Sequence, residues 1–417
     1  MQRIMEQLVV QKFGGSSVGS PERILHVAER VAARAKTGTR LVVVVSAMQG
    51  ETDRLLGLAN AVAERPDVRE VDQLLATGEQ ASAALLAMAL RGKGVASRSM
   101  TGAQMKLRTD GAFSRARIES LDREALLGPI REGEVVVATG FQGIDAQGNL
   151  TTLGRGGSDT SAVALAAGLR ADECEIYTDV DGVYTADPRV CPDARKLDEI
   201  SFEEMMEMAS QGSKVLQIRS VELAMNHEIP IRVRSTFSDD PGTLVRAEDD
   251  RIEKLVVRGV SHNTNEAKLT LRQVPDQPGI AAQIFSRLAK ASINVDVIVQ
   301  NTSEAGTTDL SFTVGRADLD EAKDLIAIVA EEVKATSFEV DDSISKISIV
   351  GVGMRAHAGV AAAMFEALRD SSVNIQMITT SEIKVTCVID RDDTERAVQA
   401  LHAAFKLAEG GIRSTDG

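Results

Sequence analysis

Lys12 and Phe13 follow the β-branched pair Val9-Val10, which reads as the end of the first strand, and precede Gly14-Gly15-Ser16-Ser17. Adjacent glycines after a strand let the backbone turn sharply and approach a ligand with no Cβ in the way. The N–H groups and hydroxyls of such a turn can hold phosphate oxygens beside a helix N-terminus. A lysine there supplies a point charge for a transferring phosphoryl group. The same residues also fit a plain strand–turn–helix corner with a surface lysine. They form neither a Walker A loop nor GxGxxG. A second Gly-rich helix start, Gly154-Arg155-Gly156-Gly157-Ser158-Asp159-Thr160-Ser161, leads into the apolar run Ala162–Gly168. Asp159 there would also serve as a cap or complement the helix dipole. Two such starts, each with a cation, argue for chemistry on anions more strongly than either alone. Glu79, just after Thr77-Gly78, reads locally as a helix-start residue. The acidic loop from Thr178 to Arg189 is rich in turns, and its spacing does not match an EF-hand.

The elements that would position these residues alternate strand and helix. Pro21-Glu22 opens a helix with Ile24, Val27, Ala28 and Val31 on one face. Arg40–Ser46 is an uninterrupted apolar strand of the kind buried on both faces of a parallel sheet. A polar loop, Ser46 to Asp53, and a helix follow. Residues 71 to 91 read as helical with an interruption at Thr77-Gly78, and 93 to 128 as a polar excursion. Further strands are expected at Glu134–Gly140, Cys174–Thr178 and Ile229–Arg234, with a hairpin at 144–153 and two helical patterns flanking Gly212-Ser213-Lys214. Ligands of such α/β sheets bind at the carboxyl ends of the parallel strands.

Past residue 262 the texture changes to an internal repeat. Lys268-Leu-Thr-Leu, Pro278-Gly279-Ile280-Ala281, Phe285 and Asn294 return as Lys346-Ile-Ser-Ile, Ala358-Gly359-Val360-Ala361, Phe365 and Asn374, with the Phe and Asn pairs sharing an offset of eighty. Each copy reads as a ferredoxin-like βαββαβ unit. The 417 residues suit two or three domains. With 47 basic against 61 acidic residues, a net charge of −14 disfavours nucleic-acid binding. The three scattered cysteines form neither a disulfide framework nor a zinc site, and no signal segment or membrane span is visible, so a reducing cytoplasm is expected.

KFGGSSVG, SAMQGETDRL, TLGRGGSDTSA, IYTDVDGVYTADPR and the C-terminal repeat, taken together, resemble aspartate kinase of the monofunctional bacterial type. The resemblance covers essentially the whole chain and shows no departure at the motif positions. It implies an amino-acid-kinase α/β/α sandwich over 1–240, a linker over 241–264, and two ACT domains over 265–341 and 342–417. It implies ATP with Mg²⁺ as cofactor, L-aspartate as substrate, and no metal bound by protein ligands alone. Lys12, Gly14, Gly15 and Ser16 would hold the ATP phosphates, with Lys12 stabilising the transferring group. Ser46 and Thr52 would lie near aspartate, Glu79 would hold its ammonium and Arg155 its α-carboxylate, while Gly157, Ser158 and Asp159 complete that loop. Asp159 would organise Lys12. Thr178, Asp179, Tyr184, Arg189 and Lys214 would contact the nucleotide. Lysine, threonine or both would bind at the ACT interface through Asp276, Gly279, Ile280, Ala281, Asn294, Gln300, Asn374 and Ile375, with Ile280 and Ile375 equally suited to plain core. A homo-oligomer through the ACT domains is expected, with a separate ACT-only subunit in some relatives. No Met lies between Met225 and Met354, so a Met-initiated second product covering both repeats is not readable. The rivals are another amino-acid-kinase phosphotransferase and a non-catalytic amino-acid sensor. The C-terminal repeat, the Glu79 segment and TLGRGGSD weigh against the first, and an intact Lys12, Asp159 and Lys214 against the second.

Overall fold

The computed structural model describes residues 7–213, 215–248, 255–302 and 306–412. The chain forms two compact units. One comprises the described residues of Met1–Val183, Lys196–Ala209 and Lys214–Arg251, the other those of Tyr184–Arg195, Ser210–Ser213 and Ile252–Gly417.

Through Arg246 the elements are β1 (Leu8–Phe13), α1 (Pro21–Ala35), β2 (Arg40–Val45), α2 (Glu51–Val62), α3 (Val68–Gly92), β3 (Ser97–Met100), β4 (Arg108–Thr109), β5 (Ile118–Ser120), α4 (Arg123–Arg131), β6 (Val135–Thr139), β7 (Gln142–Ile144), β8 (Leu150–Thr152), α5 (Gly157–Leu169), β9 (Glu173–Thr178), β10 (Glu199–Ser201), α6 (Phe202–Ser210), α7 (Ile218–Asn226), β11 (Ile231–Ser235) and β12 (Thr243–Arg246). Eight strands form one sheet in the order β10-β12-β11-β9-β1-β2-β6-β3. β1 is parallel to both β2 and β9, so the chain leaves the sheet centre in opposite directions on either side of it. That reversal opens a crevice at the strands' carboxyl ends, where doubly wound sheets take ligands. β1 and β6 are buried along their whole length and β2 along all but its first residue, as expected of strands covered on both faces. α1 starts where Ser20 caps the Arg23 N–H, and it buries Ile24, Val27, Ala28, Val31 and Ala32.

Three expectations change in this first unit. The first strand does not stop at Val10 but runs to Phe13, so Lys12 is a buried strand residue. The helix over 71–91 is not interrupted at Thr77-Gly78, because α3 is continuous. A Cβ on Gly78 would lie 2.8 Å from the Ala47 Cβ, so the glycine admits the end of β2 against the helix instead of ending it. The excursion over 93–128 supplies β3 at the sheet edge, together with β4 and β5 of a small sheet ordered β5-β4-β7-β8.

The second unit holds β13 (Gly259–Asn263), β14 (Glu266–Pro275), α8 (Ile280–Lys290), β15 (Val295–Thr302), β16 (Thr307–Gly315), α9 (Leu319–Glu332), β17 (Ser337–Asp341), β18 (Ile344–Val350), α10 (Val360–Asp370), β19 (Met377–Thr380), β20 (Lys384–Asp390) and α11 (Thr394–Ala404). The first repeat is a complete βαββαβ unit with strand order β15-β16-β14-β17; the second sheet is ordered β19-β20-β18-β13. In the second copy no strand follows α11 among the described residues, and β13, which precedes the first copy, takes the edge beside β18. The span expected as a linker, 241–264, therefore carries two sheet strands: β12 pairs with β11 and β10, and β13 with β18. Each satisfies an edge that would otherwise leave backbone groups unpaired. The repeat is close in detail, since α8 and α10 both start at glycines with φ near +100° (Gly279 +99, Gly359 +97).

The copies are joined reciprocally. Lys346 of β18, almost wholly buried, pairs with Glu266 at 2.7 Å and with Asp296 of the first copy. Its repeat counterpart Lys268 reaches Gln376, the counterpart of Asp296. Residues 184–195 are also built into this unit. Val260 N–H donates to Thr185 O (2.7 Å), Thr185 Oγ1 bonds His402 Nε2 (2.9 Å), and Ala186 and Cys191 join the second repeat's core.

Candidate active site

Strand alternation sorts the residues around the end of β1. Gln11 and Phe13 face one layer, where Gln11 donates to Glu175 and Phe13 stacks on Tyr177. Lys12 therefore faces the other, where its Nζ lies 2.5 Å from Asp159 Oδ1 in the first turn of α5. Both side chains are about nine-tenths buried. A Cβ on Gly14 would sit 3.5 Å from that Nζ, so the lysine lies directly over the Gly-Gly turn. The turn is tied down on both sides, since Gly14 N–H donates to Tyr177 O (3.3 Å) and Ser46 N–H to Phe13 O (3.1 Å). A Cβ on Gly15 would come within 2.9 Å of Ala47 O, so only glycine lets the two strand-end loops lie this close. Ser158 packs against Gly140 at the end of β6, where a Cβ would meet its Oγ at 2.8 Å.

Glu79 lies in the middle of α3, not at a helix start, and is 3% exposed. Its Oε1 accepts the Ala47 N–H at 2.9 Å, while Oε2 is buried without a protein partner. Burial pushes this carboxyl up to about 7, with the Ala47 N–H offsetting part of the effect. A buried carboxyl oxygen lacking a protein donor leaves room for a donor from outside the protein, a water or a ligand cation. Arg155 is exposed between Gly154 and Gly156, whose φ values of +76° and +70° hold the turn open.

The ends of β1, β2 and β9 with α3 and α5 thus gather Lys12, Gly14, Gly15, Ser46, Glu79, Ser158, Asp159 and Thr178, while Gly157 opens α5. Thr178 ends β9 and bonds Asp179, and Thr52 sits in the first turn of α2. Tyr184 and Arg189 fall in the segment that packs with the second unit, and the Arg189 guanidinium pairs with Asp187 (2.7 Å). Lys214 lies outside the described residues. In the repeats, Asp276, Ala281, Asn294, Gln300 and Asn374 are exposed, whereas Ile280 and Ile375 pack against the two repeat cores. Sequence reasoning missed the Ala47 N–H and the packing glycines Gly78 and Gly140. A glycine within an otherwise helical pattern was the one available signal.

A lysine over a Gly-rich turn, paired with an aspartate at a neighbouring helix start on a parallel sheet, suits a phosphotransferase acting on small anions. Residues 7–235 match the amino acid kinase family, and 272–327 and 347–405 each match the ACT domain. The aspartokinase of Pseudomonas aeruginosa is 54% identical over 402 residues, 96% of this chain and 98% of the relative. The crystal structure of E. coli aspartokinase III with aspartate and ADP (R-state) is 28% identical, with a TM-score of 0.78 over 96% of this chain and 100% of that one. Its complex with lysine and aspartate (T-state) is 29% identical, with a TM-score of 0.76 over 95% and 99%. The chain belongs to the aspartokinases, ATP-dependent kinases whose acceptor is a carboxyl group of aspartate.

Proposed function

We propose that this chain catalyses ATP + L-aspartate → ADP + 4-phospho-L-aspartate at the strand-end crevice, as the first step toward lysine, threonine and methionine. The observation that carries the residue assignment is the convergence of the Lys12–Asp159 pair, the Gly14-Gly15 turn and the unpartnered Glu79 Oε2. The β-carboxylate of aspartate is already an anion, so the reaction needs no strong base. What opposes it is repulsion between that anion and the triphosphate. Lys12 and the amides of Gly15 and Ser16 offset this charge as it develops, Gly14 shapes the turn through its own N–H bond to Tyr177 O, and Asp159 holds the lysine in place. Glu79 receives the substrate ammonium and Arg155 the α-carboxylate, with Ser158 and Gly157 closing the loop. Ser46 and Thr52 lie along the path between acceptor and phosphate. Thr178, Asp179, Tyr184, Arg189 and Lys214 serve the nucleotide. Mg²⁺ bound to the triphosphate would add charge neutralisation there.

The repeats receive lysine, threonine or both, through Asp276, Gly279, Ala281, Asn294, Gln300 and Asn374, with Ile280 and Ile375 supporting those loops from the core. The lysine-bound E. coli aspartokinase III supports this reading. Assembly as a homo-oligomer through the repeats, with or without a separate ACT-only chain, and a cytoplasmic setting complete the proposal. No described helix is long and apolar enough to cross a membrane. The test is ATP-dependent acyl-hydroxamate formation from aspartate, with and without millimolar lysine plus threonine. Turnover that falls with the effectors supports both halves of the proposal. Turnover indifferent to both amino acids refutes the regulatory half, and folded protein without turnover refutes the catalytic one.

A further inference from the structure

Asp72 is wholly buried in α3, seven residues before Glu79. At 3.6 residues per turn the two carboxylates share one face of the helix, two turns apart. Asp72 makes no use of solvent and instead collects four donors from two distant segments. Thr152 N–H reaches Oδ2 and Thr152 Oγ1 reaches Oδ1, each at 2.7 Å. Ser114 N–H bonds Oδ2 at 2.9 Å, and Ser114 Oγ bonds Oδ1 at 3.3 Å. Thr152 ends β8, three residues before Arg155. Ser114 holds a left-handed backbone (φ +66°), and its carbonyl oxygen lies 3.0 Å from where a Cβ on Gly154 would stand. The two segments are also bonded to each other through Ala116 N–H to Thr152 O (2.9 Å). Arg219 also donates to Leu153 O (3.0 Å) and Ala116 O (2.9 Å). The strand end that presents Arg155 is thus held by bonds from both Asp72 and Arg219.

We propose that Asp72 is a positioning residue for aspartate: through Thr152 and Ser114 it fixes the turn carrying Arg155 relative to Glu79. One helix then sets the spacing between the groups that read the substrate's ammonium and α-carboxylate. The proposal rests on the reading that Glu79 and Arg155 hold those two groups. A carboxylate suits the task because it accepts from N–H and O–H donors on both oxygens at once, and such charge-assisted bonds are short and directional.

The experiment measures KM for aspartate and for ATP, kcat and thermal stability for Thr152→Val, Thr152→Ser, Arg155→Ala and the Thr152→Val/Arg155→Ala double variant. Thr152→Val deletes one bond to the carboxylate at nearly constant volume and should raise KM for aspartate roughly tenfold. It should leave KM for ATP and kcat within about twofold, a loss of binding shared equally by the ground state and the transition state. Thr152→Ser keeps both donors and should restore the wild-type KM. In the Arg155→Ala background Thr152→Val should add little to KM, since coupled residues are non-additive. A Thr152→Val enzyme that loses thermal stability but keeps its KM for aspartate overturns the proposal, as does full additivity in the double variant. If Arg155→Ala itself leaves KM for aspartate unchanged, the underlying site reading fails instead.

Discussion

Aspartate binding should release a proton from Glu79. The carboxyl is buried on α3 with one oxygen on the Ala47 N–H and the other unpartnered, and burial holds it at about 7 against an ordinary 4.5. The difference of about 2.5 units corresponds to roughly 3 kcal/mol. Because the folded value is raised, the associated stability is complete below pH 4.5 and is lost as pH climbs through about 7. An ammonium delivered to Oε2 reverses the balance, since a cation beside a carboxylate favours the ionised form. At pH 6 roughly a tenth of the free enzyme carries ionised Glu79 and at pH 8 roughly nine-tenths, so apparent affinity for aspartate should rise about tenfold between them. Calorimetric titration with aspartate in buffers of different ionisation enthalpy should show close to one proton released per site at pH 6 and almost none at pH 8. Glu79→Gln should abolish the release and flatten the pH dependence. Normal binding without proton release at pH 6, or an unchanged pH profile in Glu79→Gln, would refute the reasoning.

Lys12→Ala should cut turnover by about 10²–10³ while circular dichroism stays native, as expected for losing one preorganised charge at the reacting group. A variant with wild-type kcat would remove Lys12 from the chemistry. Lys346→Met strips the buried cation from Glu266 and Asp296 and should destabilise the second unit by about 3–5 kcal/mol. Chemical denaturation would read this as an early transition. Gly78→Ala improves helix propensity by about 1 kcal/mol, yet its methyl would stand 2.8 Å from the Ala47 Cβ. The expected result is a net loss of thermal stability together with a raised KM for aspartate, because Ala47 carries the N–H that orients Glu79. A more stable enzyme with unchanged KM would show that the helix and strand end separate freely.

Features written in short stretches of chain were open to reading from sequence. Gly14-Gly15 after a strand and Gly154–Gly157 before a helix announce their turns because backbone strain is local. The Phe285/Phe365 and Asn294/Asn374 offset exposes the repeat because each copy repeats its own contacts. At two positions where the deciding contact is distant, the local pattern misled. Gly78 looked like a helix break because its partner, Ala47, is thirty-one residues away. Read locally, Glu79 looked like a dipole residue for the same reason, and only the family resemblance pointed it to the substrate ammonium. The sequence alone determined the kinase-like order of strands and Gly-rich turns, and the presence of two ferredoxin-like copies. Tertiary structure decided that Lys12 meets Asp159, that Glu79 keeps one oxygen free, that Asp72 grips β8, and that β13 completes the second repeat. Each of these depends on strand order and interlayer packing, which pair residues far apart in the chain and leave no period or spacing behind.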